Sequence, residues 1–463
     1  MAKRVKKKKV DRDQLAALRN LQLSKHEHVA DDSNMTFSAI GPQLIDFMNV
    51  IDVPALLEKH VQIDKRNSTY NSDKMSQMLI LQNILGIDRI ENSRVLTQDA
   101  ILKEKLGVDS YPDPGTFRNE LRRYTPENNE QLFQVNQDLL SILALLTQPG
   151  YVDMHFDGKV ITVYGDQEGA EVGYNAHKPG RKSYHLQVCT IEPFGFVLAI
   201  CLQPGNSVSS TGFVDFYSKC VAAIPQDHFV IKNVRLDSGY FSEGSVEAFE
   251  GDYHFFEVVT KKNAGIKAFI ATQLTDDDFE PFFPGGLISG ASFTYRFASW
   301  SKPRDFVVVR KRLGLKRDEQ GNLFPKYRYQ VICHNQLDGD PKAVWVDYNK
   351  RAKIELNIRD LDYDHFITKV PTDNFNANSA YFWHCVTAHN LMVIFRNFLL
   401  PAQWSTARTS TLRKKLINIP GCLVNRSGKK VMRMMEAFPY KDILNGIKER
   451  IKWLYVTLHP SPA

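Results

Sequence analysis

Cysteine is scarce in this 463-residue chain: six thiols, at Cys189, Cys201, Cys220, Cys333, Cys385 and Cys422, with no CxxC pair among them. That excludes a disulfide framework and a zinc knuckle, and fits reduced thiols in a cytoplasm. No run of about 18 apolar residues is present, so no membrane-spanning helix is expected. The first residues, Met1-Ala2-Lys3-Arg4, lead into lysines, without the apolar stretch of a secretory signal. Neither a phosphate-cradling Gly-rich loop with Lys-Ser/Thr nor a Ser-His-Asp set is visible, which sets aside ATPase and serine-hydrolase readings. What is left is a globular chain long enough for about two to four domains, expected in the cytoplasm.

The net charge is +7, with 43% hydrophobic and 24% charged residues. Its distribution says more than its size. Residues 3–9 carry +6, residues 296–328 carry +7 and residues 401–433 carry +8, so the remainder is acidic at −14. Three basic zones on an acidic body suit a long polyanion touched at several points, since each neutralised phosphate releases counterions. Any one of these runs is equally well a solvated face.

Along the chain the pattern changes character several times. Residues 1–30 are charge-rich and expected to be disordered or helical. From about 40 to 145 the spacing is helical: Met75, Met78, Leu79, Gln82 and Leu85 recur at helix intervals, and Gly86 closes the segment. Arg118, Arg122 and Arg123 follow the turn Tyr111-Pro112-Asp113-Pro114-Gly115-Thr116. Residues 1–150 are therefore expected to form a helical, DNA-binding N-terminal region. At Tyr151 the pattern becomes a strand, with Val152, Met154 and Phe156 alternating against Asp153, His155 and Asp157. Strands over 182–190 and 196–202, a helix over 211–223 and a strand over 229–236 follow. Three strands, a helix and a strand are the order of the first half of a ribonuclease-H-like core, taken here as residues 151–250. Residues 251–345 read as a β-rich, basic, antiparallel insertion. A helix over 347–361 and a long apolar helix over 378–400 complete the core (346–400), and residues 401–463 read as a basic helical tail. The fold class is thus α/β: a ribonuclease-H-like core split by a β-rich insertion and flanked by helical regions.

Phosphodiester chemistry on DNA calls for two divalent cations about 4 Å apart, held by a few carboxylates that leave room for water and substrate. Asp157 lies within or just past the first strand. Asp237 closes the fourth, at the strand ends where ligands gather in such sheets. The third acid is expected on a helix after the insertion, and Glu355 fits. On a helix Tyr348, Arg351, Glu355, Arg359 and Asp362 fall on one stripe, where Arg351 can clamp a phosphate in bidentate fashion. The same stripe is equally a solvated face laced by acid–base pairs. Trp300, in the basic insertion, is a candidate for stacking on an extruded base, or else a core tryptophan. The phosphate contacts are expected from Arg310, Lys311 and Arg312 and from Arg413, Lys414 and Lys415, with Tyr348, Arg351 and Arg359.

Several motifs in combination resemble the DDE transposases of bacterial insertion sequences, in the subgroup with a Tyr-x2-Arg-x3-Glu-x6-Lys signature. Tyr348, Arg351 and Glu355 match that signature. Gln167-Glu168-Gly169-Ala170, Gly173-Tyr174-Asn175, Gln203-Pro204-Gly205-Asn206-Ser207, Arg235-Leu236-Asp237-Ser238-Gly239-Tyr240, Asn376-Ala377-Asn378 and His389-Asn390-Leu391 match its context. Gly86-Ile87-Asp88-Arg89 and Leu121-Arg122-Arg123 resemble the family's N-terminal region, so the similarity runs from about residue 40 to about 435. The resemblance implies a catalytic triad of Asp157, Asp237 and Glu355 holding two Mg²⁺ or Mn²⁺ ions. It also implies cleavage at transposon ends, strand transfer into target duplex DNA, and a homodimer on DNA. Two positions depart from the pattern: Asp362 stands where the signature has lysine, with Arg359 nearby to replace it, and Lys159 stands where a small hydroxyl residue is usual. Two rival readings stay open, a nuclease of the same fold that cuts without joining and a DNA-binding relative with a silent site.

Overall fold

The strict alternation from Val152 to Asp157 produces a strand whose apolar side chains share one buried face. The computed structural model describes residues 29, 31–66, 68–261, 263–317, 320–321 and 323–460. The N-terminal lysine run lies outside them. Strand β1 (Gly150–Thr162) turns Val152, Met154 and Phe156 inward, and the Phe156 ring meets Phe213 edge-on at 5.1 Å. Asp153, His155 and Asp157 therefore face the opposite side of the sheet.

The main sheet continues through β2 (Lys182–Glu192), β3 (Phe196–Pro204), β4 (Phe229–Leu236) and β5 (Phe255–Val259). Antiparallel pairings join β3 to β2 and β2 to β1, while β4 lies parallel to β1 and β5 parallel to β4. The order β3-β2-β1-β4-β5 and its strand senses are consistent with a ribonuclease-H-like core. This core reaches past residue 250, because β5 belongs to its parallel half. Three antiparallel strands, β6 (Ile288–Tyr295), β7 (Arg304–Arg317) and β8 (Leu323–His334), then extend the same sheet, with β8 pairing against β5. The β-rich segment is thus a continuation of the sheet rather than a separate layer.

Helices cover both faces. α1 (Ser72–Leu85), α2 (Pro126–Leu145) and α3 (Phe213–Ala222) are followed by α4 (Glu243–Gly251). The helix expected over 347–361 is two helices, α5 (Pro341–Asn349) and α6 (Ala352–Tyr363), joined through a tight turn at Lys350 and Arg351. Amide bonds reaching three residues back, Arg351 to Tyr348 and Ile354 to Arg351, carry the chain across that turn. α7 (Phe375–Ile394) is apolar all round and buried along nearly its whole length, so it forms the centre of the core rather than a surface helix. α1 and α2 pack on α7, and one apolar cluster runs from Ile40 to Leu454. The N-terminal helices are therefore part of that core. Their arginines serve it: Arg118 donates to the Pro371 carbonyl at 3.1 Å and pairs with Glu91, and Arg122 pairs with Asp373 at 3.0 Å. The tail is not wholly helical either. Gly421–Arg426 and Lys429–Arg433 form a hairpin paired to Met35–Thr36, followed by α8 (Lys441–Leu458). Among the described residues no helix is long and apolar enough to cross a membrane.

Arg413, expected at DNA, is instead a helix cap. Its guanidinium is buried and donates to the carbonyls of Ile84 (2.8 Å) and Asn83 (2.5 Å), at the end of α1 where carbonyls lack helical partners. Gly86, at φ +87°, turns the chain away there, and any Cβ would approach the Arg413 side chain at 2.9 Å. Arg413→Ala should lower unfolding free energy by about 2–4 kcal/mol, since two charge-assisted bonds are lost and the Ile84 carbonyl is orphaned, while Asn83 keeps the Gly86 amide. Chemical denaturation measures this, and a loss under about 0.5 kcal/mol would show that the cap is not structural.

Candidate active site

Asp157, within β1, and Asp237, just past the end of β4, stand side by side. In the parallel pairing of β1 and β4, His155 is opposite Arg235 and Phe156 opposite Leu236, so each aspartate comes next on its strand. Asp237 accepts the Gly239 amide at 2.8 Å, and this closes the turn after β4. Asp157 accepts the Gly158 amide at 2.8 Å. Burial pushes the Asp157 carboxyl up to about 6, with Arg351 opposing the rise and the Asp237 charge adding to it. Two carboxylates that disfavour each other's charge are a place for a cation.

Both glycines need room. A Cβ on Gly158 would lie 2.9 Å from His185 Nε2, and one on Gly239 would lie 2.8 Å from Ser209 Oγ. His185 and Ser209, 3.4 Å apart, thus fill the space beside the acid pair. Gln187 fixes that loop by donating to the Ser209 and Thr211 carbonyls at 2.8 and 3.0 Å. These side chains were not legible in the sequence as part of the site. The only signal was the glycine following each aspartate.

Glu355 sits on the first turn of α6, mostly exposed, and does not touch the two aspartates directly. Arg351 stands between them. Its guanidinium lies 3.2 Å from Asp157 Oδ2 and 3.3 Å from Glu355 Oε1, and its Nε donates to the Tyr348 hydroxyl at 3.2 Å. Tyr348, Arg351 and Glu355 thus touch in sequence through the guanidinium, across a helix break rather than along one helix. Among the described residues no three His, Cys, Asp or Glu side chains gather closely enough to hold a metal ion. The donor set of oxygens alone suits a hard cation; the arrangement brings two of the three acids together and holds the third through an arginine.

Beneath the pair lies a charged cluster that sequence reading passed over. Arg235 is fully buried and meets Asp153 at 2.6 Å on β1, Glu257 at 3.1 Å on β5, and Asp347 on α5. It also donates to His155 Nε2 at 3.0 Å. Burial and this guanidinium hold the His155 ring down to about 3, so it stays neutral. His155 is thus a neutral acceptor within the cluster. Asn233 and Gln336 complete the ring, with Asn233 donating to Asp347 at 2.9 Å and Gln336 to Asn233 at 3.0 Å. Asp347 precedes Tyr348, so this cluster fastens the start of the stripe to the sheet.

The two departures from the signature meet each other. Lys159, two residues beyond Asp157 on the same strand face, pairs with Asp362 at 2.5 Å, and Thr368 donates to the other Asp362 oxygen at 2.8 Å. A cation missing from the helix is thus present on the strand. Arg359 takes no part in this pair, its nearest acid being Asp360 at 3.7 Å. Two further expectations are overturned by packing. Trp300 lies within an aromatic group, 4.9 Å from Phe297 and 5.2 Å from Phe241, with Arg304 over its ring, so no face is open to a base. Arg310 is buried, bonded to Ser289 at 3.0 Å, paired with Asp276 and stacked on Phe279 and Tyr327. Lys311, Arg312, Lys414 and Lys415 are exposed.

Two outcomes follow from this geometry. Asp362→Lys should bring two cations together and lose about 1.5–3 kcal/mol of stability, whereas Lys159→Asp with Asp362→Lys should recover most of it. Equal melting temperatures for the single and double variants would refute the pairing. Burial pushes Glu257 up to about 8, Arg235 opposing. The folded chain then holds a proton that the unfolded chain releases near the ordinary 4.5. Stability therefore falls as pH rises between those values, by at most about 1.4 kcal/mol per pH unit. Glu257→Gln should flatten that decline in denaturation series at pH 5 and 8; an unchanged slope would mean Glu257 is already ionised.

The chain is similar to a piggyBac transposase synaptic complex with hairpin DNA, at 9% identity over 92% of this chain and 83% of that one, with a TM-score of 0.39. A Mos1 transposase paired-end complex with left transposon end matches at 14% identity over 42% of this chain and 60% of that one, with a TM-score of 0.16. At that distance neither likeness fixes the role of any residue. No curated relative matches the sequence. A family model does, over residues 28–456, and the chain accordingly belongs to the family described as transposase DDE domain group 1.

Proposed function

We propose that this chain is a DNA transposase of the insertion-sequence type with the Tyr-Arg-Glu signature. It would cut duplex DNA at transposon ends and join the freed 3′-hydroxyls to target DNA as a homodimer. The observation that carries the reading is the juxtaposition of Asp157 and Asp237 on adjacent parallel strands, with Arg351 and Glu355 brought to them from the start of α6. Asp157 and Asp237 would hold Mg²⁺ or Mn²⁺, with Glu355 joining once Arg351 releases it. A bound pair of such ions supplies activation of the attacking oxygen and charge stabilisation on the leaving one. The protein's own groups do the rest. Arg351, freed from Asp157, can grip a non-bridging phosphate oxygen through two N–H groups. Lys159 keeps a positive charge beside the first aspartate, and Tyr348 holds the guanidinium in line. Exposed Lys311, Arg312, Lys414 and Lys415 are the remaining candidates for phosphate contact.

Asp157→Asn and Asp237→Asn should each abolish Mg²⁺-dependent cleavage and joining of a transposon-end duplex, by at least about a hundredfold, while duplex binding stays within about threefold. Gel assays with uncut and pre-cut ends read both steps. Cleavage without any joined product would instead identify a nuclease, and full activity in either variant would place the chemistry elsewhere.

A further inference from the structure

The β7–β8 hairpin outruns the sheet that carries it. β6 accompanies β7 only as far as Lys311, and β5 accompanies β8 only between Ile332 and His334. The two strands go on pairing with each other to Arg317 opposite Leu323. Residues 311–317 are exposed throughout, so this outer half is a free two-stranded ribbon.

Register sorts its side chains. Lys311 is directly opposite Arg328, and Lys316 is opposite Phe324 with its ammonium 4.4 Å from that ring. Lys326 lies two residues from each of Phe324 and Arg328 and so shares their face. Lys311, Lys316, Lys326 and Arg328 therefore line one face. None of the four has an ion-pair partner among the described residues. Like charges directly across a strand pair are destabilising, so this face is built for something anionic from outside.

Its direction narrows the choice. Val307 and Val309, on Lys311's side of β7, pack with Val344 and Tyr348 of α5. Across the sheet, Arg235 is opposite Glu257, Glu257 opposite His334, and His334 opposite Asp305. The basic face is thus the face that carries Asp157 and Asp237, prolonged beyond the strand ends where Asp237 stands. Two strand spacings separate β4 from β8, about 10 Å, and Arg328 lies about 13 Å outward from Ile332. Both distances fall within one turn of B-form DNA, about 34 Å, and a two-stranded ribbon fits the major groove. We propose that the basic face of this ribbon enters the major groove of the same duplex whose phosphodiester reaches the acid pair, with its four cations on the flanking phosphates. This rests on the transposase reading above.

The test is duplex binding by fluorescence anisotropy across a NaCl series, alongside thermal melting. Lys326→Gln with Arg328→Gln should reduce the slope of log affinity against log salt by about two units, at close to 0.9 per lost phosphate contact. Lys448→Gln with Lys452→Gln, on α8, should leave it unchanged. Lys311→Glu gives an independent readout, because it removes the repulsion with Arg328: DNA binding should weaken more than tenfold with no fall in melting temperature. An unchanged slope in the folded double variant, or an equal loss in the α8 control, would overturn the proposal. So would a change in self-association with DNA binding intact, which would assign the ribbon to a second copy. Wild-type protein that binds and cuts DNA while the ribbon variants behave identically defeats only the ribbon; wild-type protein that does neither defeats the transposase reading as well.

Discussion

Arg235 has no access to water, and a guanidinium so placed must have its charge answered by the protein. Three acid side chains surround it, Asp153 from β1, Asp347 from α5 and, still holding its proton, Glu257 from β5. Each comes from a different element, so the arginine fixes where those elements stand relative to one another. Asp157 and Asp237 lie beyond His155 and Arg235 on the same two strands. Asp347 lies just before Tyr348. The strand positions of the two aspartates and the start of the Tyr348 stripe are therefore fastened from beneath, by one buried cation.

The upper layer is less tightly determined. α6 begins at a turn rather than within a continuous helix, and only Arg351 links its carboxylate to the aspartates. Two charge-assisted contacts of more than 3 Å at a partly open site are weak compared with the buried cluster. The lower acids are thus flanked by a buried ion cluster, whereas the upper acid is linked to them through one guanidinium. A cation entering between Asp157 and Asp237 would compete with the Arg351 guanidinium for the same carboxylate. The guanidinium would then be available for a phosphate on the same side of the sheet.

Positive charge in this chain has two quite different uses, and composition does not separate them. Arg413 caps a helix, Arg310 closes a turn over Phe279, and Arg304 gathers Glu243 and Glu250 against Trp300. These arginines are buried because a planar guanidinium can satisfy several acceptors at once. The exposed cations are mostly lysines, on the ribbon and beside Arg413.

Much of the arrangement was legible before any coordinates. The period-two alternation at residues 152–157 identified the first strand, its buried face and the face that carries Asp157. The run ending at Asp237, and the helical spacing that joins Arg351 to Glu355, were likewise read from local pattern. Local pattern has a definite reach: it reports which way a side chain points within its own element. It could not show that α5 and α6 are separate, because the turn between them keeps nearly helical spacing. It could not tell a buried arginine from an exposed one in a basic run, since neighbours such as Arg310 and Lys311 point to opposite faces and only the sheet decides which is covered. Nor could it see that Lys159 and Asp362, 203 residues apart, meet as a pair. The sequence by itself determined the elements and the chemistry available on each; the tertiary structure decided which charges meet, because burial and ion pairing depend on distances between elements that no local period contains.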